Sequence, residues 1–370
     1  MIKIVDIVYY CHTEYQSPCC VLEKHRPTVG FIEFIKDRVD YTVVRHLDYE
    51  GTETINGVCY AFFRRTNAPW QIPLKTHRYI KSIDPDIVLV HGFVFPLQVM
   101  ALKILLGKKC KIIVQHHAEQ PVRSVRKLFQ TIADRFTAVY LFSAQEIAAP
   151  WLAQKVIKNA DKVRVLMTAS VPVANKNKNS CKKQLGFEGN HNFLWVGRLN
   201  QNKDPITVLR AFAQHAEQNP SARLYMIYQT AELLLPVQYL VNEERLNAHV
   251  ILVGALPHEE LADWYYAADY FISASHAEAA GYALLEAMSA GCIPIVSRIP
   301  SYKKILENCP AYLFKPGNVA ELAELLNNLL GLDVSKLSAE IKSHFQHKLS
   351  FEKVADNMFN LFKQLYAEQR

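Results

Sequence analysis

The chain has 370 residues, half of them apolar and 21% charged, and a formal net charge of +7. This length allows two domains, each with its own core. No apolar run approaches the ~20 residues of a membrane-spanning helix, and eight scattered cysteines without a C-x-x-C pair give no support to a zinc knuckle or a thioredoxin-type site.

The opening "MIKIVDIVYYCH" carries one Lys and a short apolar run but no small-residue cleavage site, so it reads as a first strand and not a signal peptide. The cytoplasm is the expected compartment. Further strand candidates are "YTVVRHL", "GVCYAFF", "DIVLVHG", "CKIIVQH", "AVYLFSA" and "VRVLMT", with helical pieces such as "VFPLQVMALKILLG" and "VRKLFQTIADRF" between them. Short β-rich runs alternating with helical patterns imply βαβ units and a parallel sheet. The polar, Asn- and Lys-rich stretch that follows reads as an inter-domain linker over 176–192. The alternation then restarts with "FLWVG", "ARLYMIYQ", "HVILVG", "DYFISAS" and "CIPIVS" as strands separated by helices. The tail "SFEKVADNMFNLFKQLYAEQR" has the period of an amphipathic helix, with Ser350 as its N-cap. The reading is α/β: two Rossmann-like parallel-sheet domains, over 1–175 and 193–350, and a terminal helix over 351–370.

Charge is unevenly spread. Residues 1–180 hold 25 Lys and Arg against 15 Asp and Glu, whereas the remainder holds 17 against 20. The basic first half suggests an anionic partner such as a membrane surface or an acidic acceptor, or else a solvated basic face. Nucleic acid is not expected, because no recognition motif is present.

"EAAGYALLEAMSAG" places Glu278 and Glu286 eight positions apart in an apolar stretch. On one helix they would stand about 80° apart, with Gly281 between them in a position poor for a helix interior. The better reading ends a strand near Ser275, runs a loop to Gly281 and starts a helix near Tyr282, with Gly291 at its C-terminal cap. Glu278 is then at the carboxyl end of a parallel strand, where open α/β sheets bind ligands. The helix start offers N–H groups and positive dipole to an anion. From this stretch alone, an exposed loop Glu and a dipole-favoured helix Glu account for the pair as well as a ligand does.

Upstream, "FLWVGRLNQNKDPITVLRAF" is a strand, a turn at Gly197 and a helix capped by Asp204 with Pro205 in its first turn. Arg198 and Lys203 converge on that loop; a diphosphate partner would account for them, and a solvated basic loop is the alternative. "VGRLNQNKD" followed by "EAAGYALLEAMSAGCIPIV" resembles the donor domain of the retaining glycosyltransferases of family 4, including the E-x7-E motif at Glu278 and Glu286. The resemblance covers residues 193 to about 330; the first half matches only as a pattern, "IDPDIVLVHG" and "IIVQHHAEQP".

The resemblance implies a B-type glycosyltransferase fold with its two domains facing a cleft, and a tail helix that returns to the first domain. It implies that Arg198 and Lys203 hold the donor diphosphate, Glu286 the ribose hydroxyls, and Glu278 the donor sugar. Gly197, Gly254, Leu256, Ala279, Ala280, Gly281 and Tyr282 complete the donor site, and His117 or its neighbour His116 lies near the sugar. The reaction implied is transfer from a UDP- or GDP-sugar, with retention, to a glycan or lipid-linked acceptor. No metal or other cofactor is expected, and "DPD" at Asp84–Asp86 reads as a turn. With a membrane-bound acceptor the protein would sit peripherally on the inner membrane face. The loop after the first strand lacks the family's glycine pair, and "AAG" replaces its Gly-aromatic-Gly. A nucleotide-sugar 2-epimerase and a non-catalytic sugar-nucleotide or glycan binder are the alternatives. A dehydrogenase would need G-x-G-x-x-G after a first strand, which neither half supplies.

Overall fold

The computed structural model describes residues 1–12, 18, 29–64, 70–117, 119–121, 125–166, 172–187, 191–278, 280–329 and 331–368. The chain divides into two compact units, Met1–Ala169 with Phe351–Arg370, and Ser170–Ser350.

In the first unit the described strands are β1 (Lys3–His12), β2 (Asp40–Leu47), β3 (Gly51–Ile55), β4 (Val58–Phe63), β5 (Ile87–His91), β6 (Lys111–Gln115), β7 (Val139–Phe142) and β8 (Val163–Val165). They form one sheet in the order β3-β4-β2-β1-β5-β6-β7-β8. Central strands such as β5 are buried throughout, as befits a parallel sheet covered on both faces. Val5, Val88, Ile112, Phe142 and Trp151 contribute to its core.

One strand departs from the expected all-parallel order: β3 runs antiparallel to β4 at the sheet edge. Asn56 and Gly57 between them have φ of 52° and 82°, the left-handed pair of a two-residue hairpin turn. Burial along β3 alternates between half-buried and exposed, so it lacked the apolar run by which the other strands were recognised.

The terminal helix Phe351–Ala367 clusters with this unit and buries Phe351, Val354, Ala355, Met358, Phe362 and Leu365. A Cβ at Gly30 would lie 2.5 Å from the Phe351 ring, so the residue there can only be glycine without repacking. Arg38 pairs with Asp356 at 2.6 Å and lies 3.9 Å over the Phe359 ring.

The second unit contains β9 (Asn192–Gly197), β10 (Arg223–Tyr228), β11 (Val250–Gly254), β12 (Tyr270–Ser273), β13 (Ile293–Ser297) and β14 (Tyr312–Phe314). All pairs are parallel, in the order β11-β10-β9-β12-β13-β14. The chain reverses its strand order between β9 and β12, where open α/β sheets gather ligands.

The stretch 176–192, read from sequence as a linker, contains a helix, Lys178–Leu185. Asn177 caps it by accepting the Ser180 N–H at 3.0 Å, and Gly186 ends it in a left-handed conformation. It docks through charge more than apolar area. Lys176 pairs with Asp263 at 2.6 Å, and Lys178 and Lys182 pair with Asp269 at 2.8 and 3.0 Å. Cys181 is the only residue of this helix that is buried, which is why its sequence shows so weak a period.

Among the described residues, no helix is long and apolar enough to cross a membrane.

Candidate functional site

In the second unit, β9 delivers the chain to Gly197, after which Arg198 is exposed and Leu199 is buried. The intervening turn is closed by Asn200, whose side chain accepts the Lys203 N–H at 3.0 Å. Asp204 follows with φ 45°, a left-handed conformation that Asp tolerates. It caps the helix Pro205–Gln218, accepting the Thr207 N–H at 3.1 Å and the Thr207 hydroxyl at 2.7 Å.

This loop is fastened to the one after β12. The Asn202 side chain exchanges two hydrogen bonds with the backbone of Ala277, donating at 3.0 Å and accepting at 3.1 Å. The His276 N–H donates to the Asn202 carbonyl at 2.8 Å, and its Nε2 lies 3.0 Å from Asp204 Oδ2. Two loops that are remote in sequence thus become one rigid rim. Across it Lys203 Nζ forms an ion pair with Glu278 Oε1. Tyr302, fully buried, hydrogen-bonds to both Glu278 and Ser273. Burial, reinforced by the Glu278 carboxylate, pushes the Tyr302 phenol above its usual range, so it stays a donor.

Gly281 stands at the N-cap of the helix Tyr282–Ala290 with φ 65° and no side-chain cap. A Cβ there would approach Tyr302 to 2.8 Å. Glycine therefore serves twice, in adopting the turn and in letting the helix start close against Tyr302. The uncapped first turn leaves its N–H groups for solvent or an anion. Ala280 is buried beside it, while Ala279 lies outside the described residues.

Glu286 lies on that helix and is 5% exposed. The Tyr265 hydroxyl donates to its Oε2 at 3.0 Å, and His258 Nε2 is 2.9 Å from its Oε1. His258 follows Gly254 (φ 90°) and the half-buried Leu256 on the loop after β11. The second unit thus brings Lys203 and Glu278 into contact and sets Glu286 against the loop that carries Gly254 and Leu256. Arg198 is positioned on the same β9 loop as Lys203, and its guanidinium makes no hydrogen bond or ion pair among the described residues. Asn202, His276, Tyr302, Tyr265 and His258 were not singled out from sequence. A polar Asn, His or Tyr carries no signal of its own until its partner is known.

His116 and His117 belong to the first unit, just past β6. His116 is buried, stacked at 4.9 Å on Phe142, with Nε2 at 2.8 Å from the Glu119 carbonyl. His117 is half-buried, with Nε2 at 2.8 Å from His91 Nδ1. Burial, with His91 and His116 adding to it, pushes the His117 imidazole down to about 3, so the ring is neutral. The Glu119 carboxylate accepts the N–H groups of His117 at 2.7 Å and Phe93 at 3.1 Å, tying the loops after β5 and β6 together. Among the described residues, no three His, Cys, Asp or Glu side chains cluster in a way that could hold a metal ion.

Residues 177–346 match the family model described as Glycosyl transferases group 1. Within the curated proteins, the chain is 31% identical over 133 residues to the mannosylfructose-phosphate synthase of Agrobacterium fabrum, covering 34% of this chain and 29% of that protein. It is 30% identical over 174 residues to the D-inositol 3-phosphate glycosyltransferase of Streptosporangium roseum, covering 43% of this chain and 38% of the relative. The chain therefore spans about a third of the length of these relatives. Among solved structures, Anabaena HepE in complex with UDP superposes with a TM-score of 0.76 at 12% identity, covering 98% of this chain and all of the other. The sucrose-phosphate synthase of Thermosynechococcus elongatus gives 0.73 at 16% identity over 99% of this chain and 100% of that one. The fold is the two-domain, parallel-sheet fold of B-type glycosyltransferases.

Proposed function

We propose that the protein is a retaining glycosyltransferase of family 4 that moves a sugar from a UDP- or GDP-sugar to a glycan or lipid-linked acceptor in cell-surface polysaccharide or glycolipid synthesis. The observation that carries this is the Lys203–Glu278 pair beside an uncapped helix start, with Glu286 buried on that same helix. A nucleoside diphosphate sugar has the matching order of groups: sugar hydroxyls, anion, ribose hydroxyls. Structures of similar fold that hold UDP or UDP-2-fluoro glucose agree with such a donor.

In this reading Glu286 accepts from the ribose hydroxyls, and the Tyr265 hydroxyl holds its carboxylate at the required angle. Arg198, Lys203 and the N–H groups at Gly281 and Tyr282 receive the charge that develops on the departing diphosphate. Preorganised donors of this kind lower the barrier without a strong nucleophile. Glu278 meets the sugar near the reacting carbon, and Lys203 and Tyr302 orient it. Gly197, Gly254, Leu256, Ala279 and Ala280 line the donor, and the chemistry proceeds without a metal.

Calorimetric titration with UDP, GDP and ADP, without metal, tests the donor site. One nucleotide is expected to bind the wild type. Glu286→Ala is expected to lose that binding while keeping its thermal transition. If no nucleotide binds, or the variant binds as well as wild type, Glu286 is a structural carboxylate and the donor reading falls.

We further propose a peripheral, cytoplasmic site of action at an anionic membrane surface. The helix Val125–Ala133 supports this, because Val125 and Leu128 are exposed beside Arg126 and Lys127. Vesicles with anionic lipid should retain the protein at low salt and release it as salt screens the attraction. Equal retention on neutral vesicles would remove the electrostatic part of this reading.

A further inference from the structure

A chain of buried polar groups in the first unit is not explained by packing. Asp6 lies in the middle of β1 and is fully buried. Its Oδ1 accepts from Arg45 Nη1 at 2.8 Å. Its Oδ2 accepts from the Tyr41 hydroxyl at 3.1 Å and lies 3.0 Å from His91 Nε2. His91, on the far side, has Nδ1 at 2.8 Å from His117 Nε2. The register makes this possible: Val8 of β1 pairs with His91 of β5, so Asp6 and His91 lie on neighbouring strands two residues out of step.

Proton positions follow from the chemistry of the groups. Burial alone would raise the Asp6 pKa, but His91 and Arg45 outweigh it and hold the carboxyl well below the usual range. An ionised carboxylate only accepts, so His91 Nε2 carries a hydrogen. When His91 carries a single hydrogen and gives it to Asp6, its Nδ1 accepts, and the hydrogen between the two rings then belongs to His117 Nε2. The His117 ring is neutral, which leaves its Nδ1 without a proton. No described residue donates to that nitrogen. The backbone is fixed as well, because Glu119 holds the His117 N–H.

We propose that Asp6 and His91 are positioning residues that lock His117 in its Nε2–H tautomer, so that Nδ1 is presented as a hydrogen-bond acceptor for a hydroxyl of a bound polyol. The ligand class rests on the nucleotide-sugar reading above; the tautomer does not. The same logic applies wherever a carboxylate fixes a histidine tautomer for catalysis.

The test is nitrogen NMR of the full chain labelled with 15N-histidine, with His117→Gln used to assign the resonance and no nucleotide added. Wild type should show His117 protonated at Nε2 and bare at Nδ1. Asp6→Asn can donate to His91 Nε2 instead of accepting from it. His91 should then carry its hydrogen on Nδ1 and donate to His117 Nε2, moving the His117 proton to Nδ1. His91→Gln with Asp6 intact, which keeps one donor and one acceptor, should preserve the wild-type pattern. Should Asp6→Asn fail to fold, His91→Phe serves: without an acceptor, His117 should become a mixture of tautomers. A wild-type His117 protonated at Nδ1, or an unchanged tautomer in both Asp6→Asn and His91→Phe, would overturn the proposal. Because no nucleotide enters the experiment, failure of the donor reading would leave this result standing, and the converse.

Discussion

In the role proposed for it, Lys203→Ala should lower the rate of donor turnover by roughly 10²–10³-fold, the usual effect of removing one preorganised group that stabilises developing charge. Lys203 is held at its post by three features: the Asn200 turn, the Glu278 ion pair and the packing of its stem near Gly197. The substitution deletes the cation and also leaves Glu278, whose side chain is 14% exposed, with Tyr302 as its remaining partner among the described residues. Thermal stability should change little by comparison, since partly exposed ion pairs contribute modestly. Glu278→Gln is the informative partner. It keeps the shape and the Tyr302 contact but removes the charge. A comparable fall in kcat would assign Glu278 an electrostatic role at the reacting carbon. A near-normal kcat with a raised KM would assign it to positioning the sugar. Steady-state release of the nucleoside diphosphate measures both, and undiminished turnover by Lys203→Ala would remove that residue from the chemistry.

Asp6→Ala should destabilise the protein by about 3–5 kcal/mol, because it strands a buried guanidinium. That is a large part of the ~5–15 kcal/mol by which a domain is held folded. Arg45 is 1% exposed and donates from Nη1 to the Asp6 carboxylate, the Asp6 carbonyl and the Val44 carbonyl. Its Nε and Nη2 have no partner among the described residues, so there is little to compensate the loss. Urea unfolding followed by tryptophan fluorescence and circular dichroism reads the midpoint; an unshifted midpoint would mean that the site rehydrates. The same cluster sets an acid limit. His117 is pushed down from the ordinary 6.5 to about 3, so the unfolded chain binds its proton first, and stability declines as pH falls between those values. Asp6, depressed in the folded state, contributes stability that is full above about pH 4 and is lost as pH falls through its lower folded value. Both act in the same direction, so the wild type should unfold at progressively lower urea as pH drops below about 6.

How much of this was legible beforehand depends on how far apart cause and effect lie in the chain. The Asp204 cap with Pro205 after it, the helix start at Gly281 and Tyr282, and the stop at Gly291 could all be read, because each depends on φ/ψ preferences and hydrogen bonds within one turn. The Asn56–Gly57 hairpin was equally local and was passed over only because β3 lacks an apolar run. The helix Lys178–Leu185 was hidden by its docking through lysines, which look like solvated residues until Asp263 and Asp269 are beside them.

The partners of buried polar groups were not legible. Glu286 stood out as a carboxylate in an apolar stretch, yet Tyr265 and His258 lie 21 and 28 positions away on separate elements. Asp6 and His91 are 85 positions apart, and only the β1–β5 register joins them. Sequence by itself determined the βα alternation, the glycine turns and the clustering of charge at the loops after β9 and β12, since these follow from period, backbone preference and composition. Which carboxylate meets which histidine, and therefore which ring nitrogen carries a proton, was decided by the adjacency of strands. A buried ionisable group takes its state from neighbours that the order of the chain does not specify.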